Sequence, residues 1–337
     1  MKLLKLKKIL IYNTGGGLGD SIQIVNLILS LKKNFNDYEI YLLQGNQQYF
    51  FETKLKDLNL NFIKKTEIEI LHFGFRLKHF FEISKIISRN NLYFDIIIDL
   101  QSKLRNTLIL KKIPHTFFFS STLNFFFNKP RILIKDKKES ICERIIDCLK
   151  FYTQDNFKTV KYDTKLISHI FNDEAKKLLP HKNYVGLSIT QGNPYRKKSL
   201  QLDAVLEVTK YLISINKKPV FLIEKKYDDL KNQIEKVVKN TLFPEFETKI
   251  SNPCLTVMLG KRLDYAITID NGVMHLLSLT NIPMIAVFGP TSSNKFAPKI
   301  DNIKILSSQK LFNSKNINLI TPKIIIEEIN LLEKEII

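Results

Sequence analysis

From Tyr265 to Thr291 the chain dictates its own local topology. An apolar run, Ala266 to Ile269, stops at Asp270, and Asn271 and Gly272 follow. Val273, Leu276, Leu277 and Leu279 then recur at helical spacing, and a second apolar run, Met284 to Phe288, ends in Gly289-Pro290-Thr291. This pattern predicts a buried parallel strand, a tight turn, a helix and a second strand. In an open α/β sheet, ligands bind beyond the carboxyl ends of the strands. The unpaired N–H groups of a helix start there favour an anion. Asp270, Asn271, Gly272 and His275 therefore mark one candidate pocket, with the Gly289-Pro290-Thr291 turn on the same rim. Taken alone, His275 on an apolar helix is an ordinary core histidine.

The rest of the chain alternates in the same way. Strands are expected at Lys8–Tyr12, Glu39–Leu43 and Phe94–Asp99, then at Tyr184–Ile189 and Pro219–Ile223, with weaker ones at 61–63 and 248–250. Helices are expected at Ile22–Lys33, Gln47–Leu58, His79–Ser88, Leu104–Leu110 and Ser140–Tyr152. A second series follows at Leu202–Ile213, Tyr227–Lys239 and Pro253–Lys261. Such alternation gives an α/β fold of doubly wound parallel sheets. At 337 residues two domains are expected, 1–165 and 175–321. An amphipathic helix, 322–337, is then free to pack back on the first.

A net charge of +19 has two readings. One is compositional, since Lys, Asn, Ile and Phe are abundant and Trp is absent. The other is attraction to anionic nucleotides or lipid headgroups. No nucleic-acid-binding module is present, so that class of partner is set aside. Three cysteines without C-x-x-C spacing read as idle thiols of a reducing compartment. The apolar segment after the basic N-terminus is too short for a signal peptide, and no run approaches the ~20 residues of a membrane helix. The expected location is cytoplasmic, with any membrane contact peripheral.

Three further stretches could carry chemistry. The glycine turn Asn13–Ser21 lacks the Gly-Lys-Ser/Thr end of a P-loop. It fits a dinucleotide fingerprint only at Gly15 and Gly17, because the third position falls on Asp20. Asp20 is then either an N-cap or a general base at the end of a flexible turn. The loop Thr190–Ser199, with Arg196, Lys197 and Lys198, is either solvated or suited to a diphosphate leaving group. The Phe-rich stretch from Phe117 to Phe127, followed by Lys129 and Arg131, is either core or an apolar patch for lipid. No cluster has metal-ligand spacing, so no metal is expected.

In order, these pieces resemble glycosyltransferase family 9, the heptosyltransferases of lipopolysaccharide core assembly. The resemblance is carried by Gly17–Gln23 (GLGDSIQ), Tyr93–Asn106 (YFDIIIDLQSKLRN) and Val185–Ser199 (VGLSITQGNPYRKKS). The longest match is Asp270–Thr291 (DNGVMHLLSLTNIPMIAVFGPT). The resemblance implies a GT-B fold, two Rossmann-like domains facing across a cleft, and metal-independent, inverting transfer of heptose from ADP-heptose to a lipid-linked acceptor at the cytoplasmic face of the inner membrane. It implies Asp20 as general base on an acceptor-side loop with Gly17 and Gly19. It implies Thr190, Lys197, Lys198, Glu224, Asp270, Asn271, Gly272 and His275 around the donor. The chain departs from the family pattern at Leu277 and Leu279, where small residues are usual, and at Ser199-Leu200, where a Trp often follows the Lys. These departures bear on sugar specificity.

Overall fold

The structure is a computed structural model that describes residues 7–45, 49–52, 54–132, 134, 138–192 and 198–336. The chain divides into two compact units, Met1–Tyr162 and Asp163–Ile337. Each is built on a five-stranded parallel sheet.

In the first unit the strands are β1 (Lys7–Asn13), β2 (Tyr38–Gln44), β3 (Ile63–Lys65), β4 (Phe94–Asp99) and β5 (His115–Ser120), in the order β3-β2-β1-β4-β5. Ile9 to Tyr12 and Ile96 to Ile98 are wholly buried, as continuous apolar runs are in a sheet covered on both faces. They pair with Ile9 opposite Ile96 and Tyr12 opposite Asp99. The first crossover is a short helix, Leu18–Ile22, and then a second, Val25–Asn34, so the helix expected from Ile22 begins earlier and is broken. Residues 49–52 and 54–58 are turns with a single 3-10 turn, Lys56–Leu58, rather than an α-helix; the expected start, Gln47, lies outside the described residues. Tyr49, Phe50, Leu55 and Leu58 are nevertheless buried, so the apolar content reports burial and not period. The Phe-rich stretch is mainly core. Phe118, Phe119 and Phe125 are buried, Phe117 packs on Tyr152 at 4.7 Å, and Phe126 is exposed.

The second unit contains β6 (Tyr184–Ser188), β7 (Lys218–Phe221), β8 (Tyr265–Ile269), β9 (Met284–Phe288) and β10 (Ile303–Ser307), in the order β10-β9-β8-β6-β7. Its core joins Val185, Leu187, Ile267, Ile285 and Val287 from the strands to Val205 and Leu212 of helix Leu202–Ser214. The apolar stripe of helix Pro322–Ile336 is used within its own unit. Ile325, Ile329 and Leu332 enter that core, and Glu333 pairs with Lys217 at 3.0 Å. Residues 248–250 form no strand, because the Thr248 hydroxyl accepts from Ile250 N–H and donates to Glu174.

Strand order reverses once in each sheet, between β1 and β4 and between β6 and β8. Crossovers from those neighbours run away from each other, which leaves a crevice at the carboxyl ends.

Candidate active site

At the second reversal, side chains bridge the loops after β6 and β8. Asp270 directly follows β8 and is only 8% exposed. The Lys198 ammonium donates to the Asp270 carboxylate and, at 3.2 Å, to the Asp270 carbonyl. The Thr291 hydroxyl donates to Asp270 Oδ2 at 2.7 Å, which brings in the turn after β9. Asn271 caps the helix Gly272–Ser278, its Oδ1 accepting from Met274 N–H at 2.9 Å. The same side chain donates to Ser188 Oγ at 2.8 Å and the Thr190 carbonyl at 2.9 Å, stitching one loop to the other. Gln191 Oε1 accepts from Lys198 N–H at 2.7 Å and so ties the two ends of the loop after β6 together.

Electrostatics follow from burial. Lys198 and Asp270 form a nearly buried ion pair, so removing either partner would leave the other buried without its counter-ion. Burial pushes the His275 pKa down to about 4, opposed by the nearby Asp270 charge and reinforced by Lys198. His275 is therefore a neutral, buried ring near physiological pH, 3% exposed, and not a group that shuttles protons to solvent.

Beside this cluster lies a cavity of about 540 Å³. Thr190, Gln191 and Ser199 supply its polar side, and Leu200, Val205, Tyr227 and Leu230 its apolar side. The Tyr227 hydroxyl donates to the Gln191 carbonyl at 3.0 Å. The size lies in the ~300–1,000 Å³ range of small-molecule sites. Glu224 stands apart from the Asp270 cluster. It is exposed and pairs at 2.9 Å with Lys226, which itself lines the cavity. Lys197 lies outside the described residues, as do Asn193 and Arg196.

At the first sheet's reversal stands the glycine turn. The helix Leu18–Ile22 starts there with Gly17 as its cap residue, which puts Asp20 at the third helical position. Asp20 Oδ2 accepts from Gly17 N–H at 3.2 Å, the backward half of a capping box. Among the described residues no donor meets its Oδ1, and the side chain is partly exposed. The carboxylate thus caps the helix through Oδ2 alone among the described residues. A Cβ on Gly15 would lie 2.6 Å from Asp20 Cβ, so only glycine lets the turn fold this close to the carboxylate. Asn13 Nδ2 donates to the Asp20 carbonyl at 3.0 Å, and Gln101, with its amide in the orientation that satisfies both ends, accepts from Gly15 N–H at 3.0 Å. Nearby Asp99 is a structural carboxylate. It is fully buried and accepts from Thr107, Ser120 and the N–H groups of Gln101 and Ser102, although burial raises its pKa.

Sequence reasoning missed Ser188, Tyr227 and Gln309. The last donates to the carbonyls of Gly289 at 2.7 Å and Thr291 at 3.0 Å and fixes the turn that carries Thr291. A serine closing a buried strand was a usable signal for Ser188, whereas nothing local marks Gln309. Among the described residues, no three His, Cys, Asp or Glu side chains group to hold a metal. No described helix is long and apolar enough to cross a membrane.

The profile of glycosyltransferase family 9 (heptosyltransferase) matches residues 85–319. No curated protein matches. Solved structures do. A family 9 glycosyl transferase from Veillonella parvula is 17% identical with TM-score 0.68, over 98% of each chain. The E. coli heptosyltransferase WaaC with ADP is 12% identical with TM-score 0.65, over 96% of this chain and 99% of that one. The E. coli ADP-heptose lps heptosyltransferase II is 19% identical with TM-score 0.62, over 97% and 99%. At these identities the likeness speaks for the fold, two doubly wound GT-B units.

Proposed function

This chain belongs to glycosyltransferase family 9, and from that premise we propose an inverting, metal-independent transferase that moves heptose from ADP-heptose to an anionic, lipid-linked glycan of the lipopolysaccharide-core type. The observation that carries the reading is the Lys198–Asp270–Thr291 cluster at the reversal between β6 and β8. A lysine held there by a carboxylate is pre-aimed before any ligand arrives. A diphosphate can then take over part of its coordination as negative charge builds on the leaving group.

In the proposed reaction Asp20 accepts the proton of an acceptor hydroxyl while that oxygen attacks the anomeric carbon. The bond to the nucleoside diphosphate breaks on the opposite face of the sugar, which inverts the centre. Lys198 and Thr190 balance the charge of the departing diphosphate, together with the N–H of Gly272 and, in the same loop, Lys197. Glu224 and the cavity beside Tyr227 are assigned to the rest of the donor. Asn271 and His275 hold the Asp270 turn in shape. The work is expected at the cytoplasmic face of the inner membrane, where such acceptors are anchored.

A thermal-shift series with ADP-, UDP- and GDP-sugars tests the donor. ADP-heptose should raise the melting temperature most, since anything that binds only the folded state stabilises it. A larger shift with a UDP- or GDP-sugar would reassign the donor, an outcome for which Leu277, Leu279 and Ser199-Leu200 give a reason. No shift with any sugar nucleotide would leave a non-catalytic binding protein.

A further inference from the structure

Between β3 and β4 the first unit holds large apolar side chains in solvent. Leu71, Leu77 and Phe81 are 72%, 74% and 69% exposed, with Phe75 and Phe80 between them at 39% each. The segment is pinned from beneath. Phe73 is buried and its carbonyl accepts from the Tyr12 hydroxyl at 2.6 Å. Gly74, at φ +86°, donates to the buried His79 Nδ1 at 3.0 Å, and its carbonyl accepts from Arg105 Nε at 2.7 Å. Phe75 and Leu77 are thus held outward by a fixed backbone.

The helix Leu104–Leu110 continues this surface. Leu104 and Leu108, one turn apart on one face, are 45% and 43% exposed. Lys103 lies 5.4 Å from the Phe75 ring centre and Lys112 lies 3.9 Å from that of Phe80, so the two segments touch. Residues 71–89 and 103–112 carry eight Lys and Arg against one carboxylate, Glu82, which already pairs with Lys78.

Charge decides the occupant. A second copy would set cations against cations, and exposed Leu and Phe at the centre suit no phosphate backbone. Apolar side chains ringed by Lys and Arg suit the headgroup region of an anionic bilayer. We propose that the surface formed by residues 71–81 and 104–112 docks this enzyme onto anionic phospholipid bilayers, with Leu77 and Phe81 entering the acyl boundary. The purpose, though not the evidence, rests on the proposed lipid-linked acceptor. Residues 71–78 follow β3 on the carboxyl edge of the sheet, the edge that also carries Asp20, so docking there brings the base to the surface from which such an acceptor projects.

The test is co-sedimentation of the full chain with vesicles of phosphatidylglycerol and phosphatidylcholine, against phosphatidylcholine alone, at low and high salt. Wild type should sediment with the anionic vesicles and lose binding at high salt. Leu77→Ser/Phe81→Ser should lower the partition coefficient by about tenfold or more. It should keep the wild-type melting temperature and the ADP-sugar shift. Unchanged binding by the double variant, or equal binding to neutral vesicles, would overturn the proposal. So would a wild-type dimer that the double variant abolishes. A chain that ignores every sugar nucleotide yet needs Leu77 and Phe81 for vesicles would sink the enzyme reading and keep the docking surface; the reverse result would sink only the docking surface.

Discussion

Replacing Gly15 by Ala isolates the role of Asp20 without touching the carboxylate itself. The added Cβ would lie 2.6 Å from Asp20 Cβ, 2.7 Å from its Cγ and 2.8 Å from Oδ2. Carbon atoms pack at about 3.5–4.0 Å, so the carboxylate must move by roughly an ångström or the turn must open. Gly15 φ is not in the left-handed region, so Ala meets no backbone penalty and the clash acts alone. Either response costs the 3.2 Å bond from Gly17 N–H that orients Oδ2. A misplacement of about 1 Å is worth ~10²-fold in rate, and a positioned base ~10²–10⁴. Turnover, followed as nucleotide release with acceptor present, should therefore drop about a hundredfold. Donor affinity, measured calorimetrically, should stay within about twofold, because the proposed donor groups belong to the other unit. Gly16→Ala is the control, since a Cβ there meets nothing within 4 Å. In an Asp20→Ala background Gly15→Ala should add almost nothing, as two changes to one function do not add. Equal turnover of the Gly15 and Gly16 variants would refute the reasoning and leave Asp20 as a helix-capping residue.

Lys198→Ala should raise the donor KM and lower kcat together, a lost charge-stabilising donor being worth ~3–4 kcal/mol. It should also lower stability by about 3 kcal/mol in urea unfolding, because Asp270 is left buried without its cation. Thr291→Val removes the hydroxyl that donates to Asp270 at 2.7 Å and should cost about 1–3 kcal/mol of stability with a weaker donor shift. For His275 the folded pKa is depressed, so the unfolded chain takes up its proton first as pH falls. Stability from this site is whole above about pH 6.5 and declines toward about pH 4, by as much as roughly 3 kcal/mol. Urea unfolding across that window should show the decline, and His275→Gln should flatten it. Chelation with EDTA should leave turnover unchanged if the transfer needs no metal.

The parts of the fold that could be read from sequence share one property, burial on both faces. β9 is an unbroken apolar run, β8 is broken only by Thr268 and β4 is apolar from Ile96 to Ile98, and each was legible almost to the residue. β10 was not, because Ile303, Lys304 and Ile305 are half-exposed at the sheet edge and the run is short. Helix His169–Leu178 was hidden because it buries little beyond Phe171 and Ala175, too thin a stripe to show a period. In the candidate site, Asp270, Asn271 and Gly272 announce themselves by ending a strand. Their partners do not. Lys198 is 72 residues from Asp270 and Ser188 is 83 from Asn271, separations that only the sheet order closes. Asp20 could be read two ways because its capping uses one oxygen at the helix start, while the other has no donor among the described residues.

That the two units carry their candidate residues at equivalent points follows from topology. In the order β3-β2-β1-β4-β5, the chain leaves β1 toward β2 and leaves β4 toward β5, so the loops after β1 and β4 part. In β10-β9-β8-β6-β7 the loops after β6 and β8 part in the same manner. Each gap must be closed by side chains, and each is closed by an amide: Gln101 reaches Gly15 in the first, and Asn271 reaches Ser188 and Thr190 in the second. These amides set the shape of a crevice that strand order alone leaves open. Gln101→Leu should accordingly slow turnover with donor affinity kept, and Asn271→Leu should loosen the Lys198 loop and weaken donor binding first. If both variants lost donor affinity equally, the division of labour between the two strand reversals would be wrong.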